Sequence, residues 1–437
     1  MSDPVLTLLL FGSMLVLVLS GLPVAFALGG LAVVFLLALE GPHFLLSVVM
    51  NTYGGMTNYL LVAIPLFVFM SSMLEKAGLA EDFFDAVQNW VGGLRGGLAV
   101  GTVLMSVALA AMVGISAAST AILGLVALPA MLKRGYDKKI ALGSIQAGGA
   151  LGVLIPPSVL MIILALFGEL SVGRLFIGGV LPGILLGGLF IVYVLVRCTL
   201  QPKLGPSVPV EERADWRTRL ASLRIVVFPV VLIGLVMGTI FTGVATVTEA
   251  AGVGALGSIV VAGVYRRLTR TGFRDACYST LRVSCMIMWI VIGAKCFTSV
   301  YMLIGAQQFI QDSLTSVPGG GWATIIVMEV ILIVLGCFLD PGAITMISIP
   351  IFIPIVTALG FDPLWFAILF VIIMEMGYLT PPFGMNLFVM KGVAPKGITM
   401  GDIYRSIVPF VGLQLLGLII IMLAPQLATW LPSLMFE

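Results

Sequence analysis

Two short runs carry hydroxyl and carboxylate groups inside an otherwise apolar chain. GISAAST (114–120) holds Ser116, Ser119 and Thr120; LDPGAIT (339–345) holds Asp340, Gly342 and Thr345. Two further runs, GVLIPPSVLM (152–161) and GYLTPPFGMN (377–386), contain adjacent prolines, Pro156–Pro157 and Pro381–Pro382. A proline has no N–H and pushes away the carbonyl four residues earlier. The carbonyls of Gly152 and Val153, and of Gly377 and Tyr378, therefore lose their helical donors. Hydroxyls, freed carbonyls and a carboxylate form the oxygen-rich surroundings that suit a hard cation such as Na+. Ser116, Ser119, Asp340, Thr345 and Thr380 are the candidates to hold it. Ser158 and Asn386 stand just past the two breaks and face either a cavity or a neighbouring helix.

Each of these groups also has a plainer role open to it. Asp340 before Pro341 reads as an N-cap followed by proline at the first helical position. Serines and threonines in helices can bond to the carbonyls of the preceding turn. Glu375 is a second carboxylate within an apolar run, either structural or ion-coupling. Lys295 either neutralises Asp340 or Glu375 or meets an anionic substrate. Glu249 opens a span and caps it.

Such groups need a membrane scaffold to place them. The chain has 437 residues, 60% hydrophobic and 10% charged, with a mean hydropathy of +1.19. Apolar runs long enough to cross about 30 Å of hydrocarbon recur throughout. The expected fold is an all-α polytopic membrane protein of about ten spans plus two re-entrant hairpins. The net charge of +2 carries no sign of nucleic-acid binding, since the basic residues sit in loops. Five scattered cysteines form no metal or redox motif and read as small packing residues. With no HExxH, no serine paired with a histidine in a span and no catalytic aspartate pair, the chain does not read as an enzyme.

Spans are expected at 4–20, 22–40, 57–74, 140–167, 175–198, 225–243, 248–265, 284–303, 365–390 and 406–430. The runs 98–132 and 322–358 are hairpin-sized, with GISAAST and LDPGAIT at their middles. Residues 75–97 form a surface amphipathic helix, with Phe83, Phe84, Val87 and Trp90 opposite Glu81, Asp82 and Asp85. This divides the chain into scaffold spans and an arm helix (1–97), a transport unit (98–200), a cytoplasmic linker (201–224), second-half scaffold spans with an interfacial helix (225–321) and a second transport unit (322–437). On this map every Lys and Arg except Arg174 and Lys295 falls on one side. The positive-inside rule then puts both termini outside.

The two halves match at a constant offset of 225. Pro129, Gly135, Asp137, Gly152, Pro156 and Pro157 return as Pro354, Gly360, Asp362, Gly377, Pro381 and Pro382. Lys133, Arg134, Lys138 and Lys139 return as Ala358, Leu359, Pro363 and Leu364. A loop that loses every cation in its second copy faces the opposite compartment, so the halves are inverted repeats. Paired broken helices in inverted repeats point to a mid-membrane site in a secondary transporter.

The motifs GLPVAFALG (21–29), AIPLFVFMSSMLEKAGLAE (63–81), LRGGLAVG (94–101), LGVLIPPS (151–158), GRLFIGGVLPG (173–183), TEAAGVGALG (248–257), FLDPGAITM (338–346) and EMGYLTPPFGMNLFV (375–389) together resemble the large membrane subunit of tripartite ATP-independent periplasmic (TRAP) transporters, the DctM/SiaM family. The resemblance runs nearly end to end. It implies an elevator-type, Na+-coupled importer of organic acids such as C4-dicarboxylates or sialic acid, in a bacterial inner membrane. It further implies a small four-helix membrane subunit and a periplasmic substrate-binding protein as partners. Carried over by motif, the hairpin hydroxyls, Asp340 and the Pro-Pro segments would bind sodium and substrate. Lys295 has no counterpart familiar from that family. A stand-alone Na+- or H+-coupled anion symporter of similar architecture is the alternative.

Overall fold

A computed structural model describes residues 3–114, 116–209, 211 and 213–434. Among them the regular elements are helices: α1 (Asp3–Leu19), α2 (Val24–Leu39), α3 (Leu45–Met56), α4 (Ala63–Lys76), α5 (Leu79–Val91), α6 (Gly97–Val113), α7 (Ser116–Lys133), α8 (Lys138–Ala150), α9 (Val159–Gly168) and α10 (Val172–Leu200) in the first half. The second half holds α11 (Trp216–Phe241), α12 (Val247–Val264), α13 (Arg270–Leu303), α14 (Ala306–Thr315), α15 (Gly320–Phe338), α16 (Pro341–Ala358), α17 (Pro363–Leu379), α18 (Met385–Val393), α19 (Met400–Leu423) and α20 (Gln426–Ser433). Eight helical segments among the described residues are long and apolar enough to cross a membrane unaided. The expected spans correspond to α1, α2, α4, α8–α9, α10, α11, α12, α13, α17–α18 and α19.

Both hairpins return to the side they leave. The Leu98 amide opening α6 donates to the Tyr136 hydroxyl just beyond α7, at 3.2 Å. Trp322 at the start of α15 meets Phe361, just beyond α16, edge-on at 5.2 Å between centroids. The internal repeat extends to element ends, since α7 and α16 start and stop at positions 225 apart. α8 and α17 follow with the same offset, each capped by an aspartate. Asp137 accepts from the Lys139 amide at 2.9 Å, and Asp362 from that of Leu364 at 2.7 Å. A cap of this kind is worth about 1 kcal/mol.

The broken spans occupy the interior. α8 is buried from Ile140 to Ala150, Ser144 and Gln146 included, and α17 from Leu364 to Gly377. α19 shows how they are oriented. Near its start, Asp402 lies 3.9 Å from Lys138, at the beginning of α8. Near its end, the Ile421 carbonyl accepts from Trp365 Nε1, at the beginning of α17, at 3.0 Å. At 1.5 Å per residue those points are about 28 Å apart along the helix. Asp137 and Asp362 therefore open their helices at opposite ends of the molecule, and the halves are inverted.

Several boundaries differ from expectation. α11 begins at Trp216, capped by Asp215, inside the segment read as linker. α13 runs unbroken from Arg270, because helical hydrogen bonding continues through a basic amphipathic turn that hydropathy separates from the span. The last span starts at Met400 behind a Thr399–Asp402 capping box and ends at Leu423, before Pro425. The arm helix α5 turns its apolar face inward: Phe83 and Phe84 are buried, Trp90 Nε1 donates to the Arg219 carbonyl at 3.2 Å, and Asp82 pairs with Arg267. Thr246 and Glu249 form the expected cap of α12. Cys198 and Cys296 are buried packing residues, but Cys277 and Cys285 are exposed.

With Cys277 and Cys285 replaced, Lys139→Cys and Ala358→Cys should react with a membrane-impermeant maleimide from opposite sides of sealed vesicles. Labelling of both from one side would remove the inverted arrangement.

Candidate functional site

The first hairpin turns at Gly114, in the left-handed region at φ +61°. A β-carbon there would also sit 2.6 Å from the Pro157 carbonyl oxygen. Conformation and close approach both demand glycine, and they press the hairpin tip onto the first Pro-Pro break. Ile115 lies outside the described residues. α7 then begins with Ser116, Ser119 and Thr120, all buried. The broken span presents Gly149 and Gly152 to them. A β-carbon at Gly149 would fall 2.1 Å from Thr120 Oγ1, and one at Gly152 3.5 Å from Ser119 Oγ. Thr120 Oγ1 is enclosed and has no hydrogen-bond partner among the described residues.

A side chain from the other half completes this cluster. Asn386, at the start of α18, donates through Nδ2 to Ser116 Oγ at 2.8 Å, and its Oδ1 lies 3.1 Å from the same hydroxyl. Both residues are fully buried. The first hairpin is thus tied to the helix that follows the second Pro-Pro break.

The second cluster surrounds that break. Asp340 caps α16, accepting from the amides of Gly342 at 2.9 Å and Ala343 at 3.4 Å. Thr345 Oγ1 donates to the Pro341 carbonyl at 2.7 Å, and Thr380 Oγ1 to that of Met376, also at 2.7 Å. Beyond Pro381 and Pro382, the Phe383 amide donates to the Cys337 carbonyl at 3.1 Å. Gly377 lies against Gly336, whose Cα would be 3.3 Å from a β-carbon at 377. In the first copy Ser158 closes the break by donating to the freed Val153 carbonyl at 2.6 Å, and its side chain caps α9. Both Pro-Pro bonds are cis.

In the hydrogen bonding described, the candidate cation ligands divide between the halves, with Ser116 and Ser119 on the first hairpin and Asp340, Thr345 and Thr380 in the second half. Asp340, Thr345 and Thr380 bond within their own helical segments, and the residue joining the halves is Asn386. Lys295 does not pair with Asp340 or Glu375. Its ammonium stands 5.0 Å from the centre of the Phe167 ring, while both Glu375 oxygens are buried without a partner among the described residues. Glu329 was missed: it is 4% exposed with an unpartnered Oε1, on α15 alongside α17. Its signal was a lone carboxylate within the apolar run 320–338. The oxygen donors of the first cluster, with the uncommitted Thr120 hydroxyl among them, fit a hard monovalent cation.

The family model described as "Tripartite ATP-independent periplasmic transporter, DctM component" matches residues 11–427. The chain belongs to this family. The C4-dicarboxylate TRAP transporter large permease protein DctM of Pseudomonas aeruginosa is 34% identical over 396 residues, 90% of this chain and 91% of that one. The sialic acid TRAP transporter large permease protein SiaM of Vibrio cholerae is 27% identical over 382 residues, 87% of this chain and 88% of that one. Among solved structures, Neisseria gonorrhoeae MtrF aligns with a TM-score of 0.64 at 14% identity, over 90% of this chain and 85% of the other; that is a likeness of fold. This TRAP large permease is a multi-pass bacterial transport protein and not an enzyme.

Gly149→Ala forces a methyl group onto Thr120 and should cost about 1–3 kcal/mol. The double variant Gly149→Ala/Thr120→Ala should recover part of it, as read by thermal unfolding in detergent. Equal unfolding temperatures for the single variant and the wild type would mean that the contact is not tight.

Proposed function

We propose that this chain is the large permease subunit of a Na+-coupled importer that takes a small organic acid from a periplasmic binding protein. The observation carrying this reading is the pair of inverted broken-helix units, each clasped by a hairpin tip and joined through Ser116 and Asn386. The hairpin helices α7 and α16 begin at these breaks, and helix N-termini favour anions such as a substrate carboxylate. Ser116, Ser119, Thr120 and the freed carbonyl of Gly152 would hold Na+ in the first half; Asp340, Thr345 and Thr380, with Gly342 and Gly377 giving close backbone approach, would do so in the second. Two inverted copies supply two alternative accessibilities. An elevator movement of the hairpin units (98–200 and 322–437) past the scaffold spans would exchange them.

In this reading the protein lies in the inner membrane with both termini periplasmic and the basic loops cytoplasmic. A small four-helix subunit and the binding protein are its partners. A carboxylate substrate agrees with the C4-dicarboxylate and sialic acid named for its relatives. A stand-alone anion symporter is the competing reading, and uptake by the reconstituted chain without any binding protein would favour it.

Asp340 gives the sharpest test, because asparagine caps helices as well as aspartate does. Asp340→Asn should keep the thermal stability of the wild type and lose Na+-driven uptake in proteoliposomes containing the full complex. Asp340→Ala should lose uptake and about 1 kcal/mol of stability besides. Wild-type uptake by Asp340→Asn would leave Asp340 a cap and nothing more. Replacing the Na+ gradient by K+ should abolish uptake by the wild type; unchanged uptake would refute sodium coupling.

A further inference from the structure

Lys295 is the one charged residue in the apolar half of α13, and it forms no ion pair among the described residues. A lysine at such depth is costly unless it faces a cavity or a partner. It faces a cavity of about 620 Å3, bounded by α13 and α14 on the scaffold side and by α9 and α16 on the hairpin side. Thr298, Gln307 and Thr357 add polar groups to the walls, and exposed Glu169 stands at the rim. A second cavity of about 300 Å3 flanks the same ammonium.

The position of this cavity matters as much as its chemistry. Gly168, ending α9, packs on Ile349 and Ile353 in the later part of α16. α16 ends beside Phe361, which stacks on Trp365 at 5.6 Å. That is the end of the molecule opposite Lys138, hence the outer end in the orientation proposed above. Phe167, over which the ammonium lies, is on the helix that follows the first Pro-Pro break. A ligand held here would touch scaffold and hairpin unit together.

We propose that Lys295 anchors a second, outer anion-binding site at the seam between scaffold and hairpin units, which takes the carboxylate of a small organic acid before it reaches the hairpin tips. The volume is that of a small-molecule pocket. An ammonium is a compact cation with three donors, and the Gln307 amide on the same wall can donate to a further oxygen of such a ligand, the Thr298 and Thr357 hydroxyls being already given to the Ala294 and Ile353 carbonyls. The inference rests on the reading above only in assuming that the substrate is an organic anion arriving on this face. The phosphate of a lipid headgroup would offer the same charge.

The test is chemical labelling of Lys295 by trinitrobenzenesulfonate, an anionic amine-reactive probe, in the full chain reconstituted into phosphatidylcholine vesicles and read by peptide mass spectrometry. Succinate or sialic acid at a concentration near ten times its dissociation constant should slow modification about tenfold; choline should not. Absence of protection by either acid, or protection appearing only when anionic phospholipid is added, would overturn the proposal. This assay needs no Na+ gradient, so its outcome is independent of sodium coupling. In transport by the full complex, Lys295→Met should raise KM about tenfold with kcat within about twofold, and Lys295→Arg should restore most of the loss. A fall in kcat alone, shared by both variants, would assign Lys295 to structure.

Discussion

A backbone carbonyl stripped of its donor cannot be left facing hydrocarbon. Each Pro-Pro pair creates such carbonyls midway through a span, and much of the fold can be understood as the response. In the first copy the Ser158 hydroxyl takes up the Val153 carbonyl and the hairpin turn at Gly114 closes over Pro157. In the second, the Phe383 amide beyond the break reaches back to the hairpin at Cys337. A hairpin that must cover a break has to approach it closely, which is why glycines gather there. Gly149, Gly152, Gly336 and Gly377 let two helices meet where a larger side chain would hold them apart. Association in a bilayer rests on such packing, since lipid supplies no hydrophobic drive.

The skeleton was legible because proline, glycine and capping aspartate act locally. Pro156–Pro157 and Pro381–Pro382 mark the breaks whatever surrounds them. Asp137 and Asp362 cap α8 and α17 by bonds to amides two residues away. The offset of 225 carried these signals into a repeat, and loss of the cations around Asp362 gave its inversion. What stayed hidden depends on partners distant in the chain. Nothing beside Asn386 says that it will meet Ser116, 270 positions earlier. Lys295 reads as a partner for any carboxylate in the membrane until α13 is seen facing α9. Glu329 was overlooked because one carboxylate barely alters the hydropathy of the apolar run around it. The length of α13 was misread for the opposite reason: its early turns are polar, yet the helix continues through them.

The hydroxyls also show a limit of composition as a guide to chemistry. Thr345 and Thr380 are donors to the preceding helical turn, the ordinary behaviour of threonine in a helix. Thr120 has the same side chain and is as enclosed as Thr345, yet it has no partner among the described residues. The difference lies in the neighbours. Gly149 brings bare backbone up to the Thr120 hydroxyl.

The Ser116–Asn386 bond has no mirror image. The repeat puts Pro341 where Ser116 stands and Met161 where Asn386 stands, a pair that cannot exchange a hydrogen bond. Likewise Glu375 has Ala150 for its counterpart. An ancestral duplication would have begun with two equal chambers. Here they have diverged into one lined by neutral hydroxyls and an amide and another bearing carboxylates, so the two halves present unlike chemistry to whatever enters them.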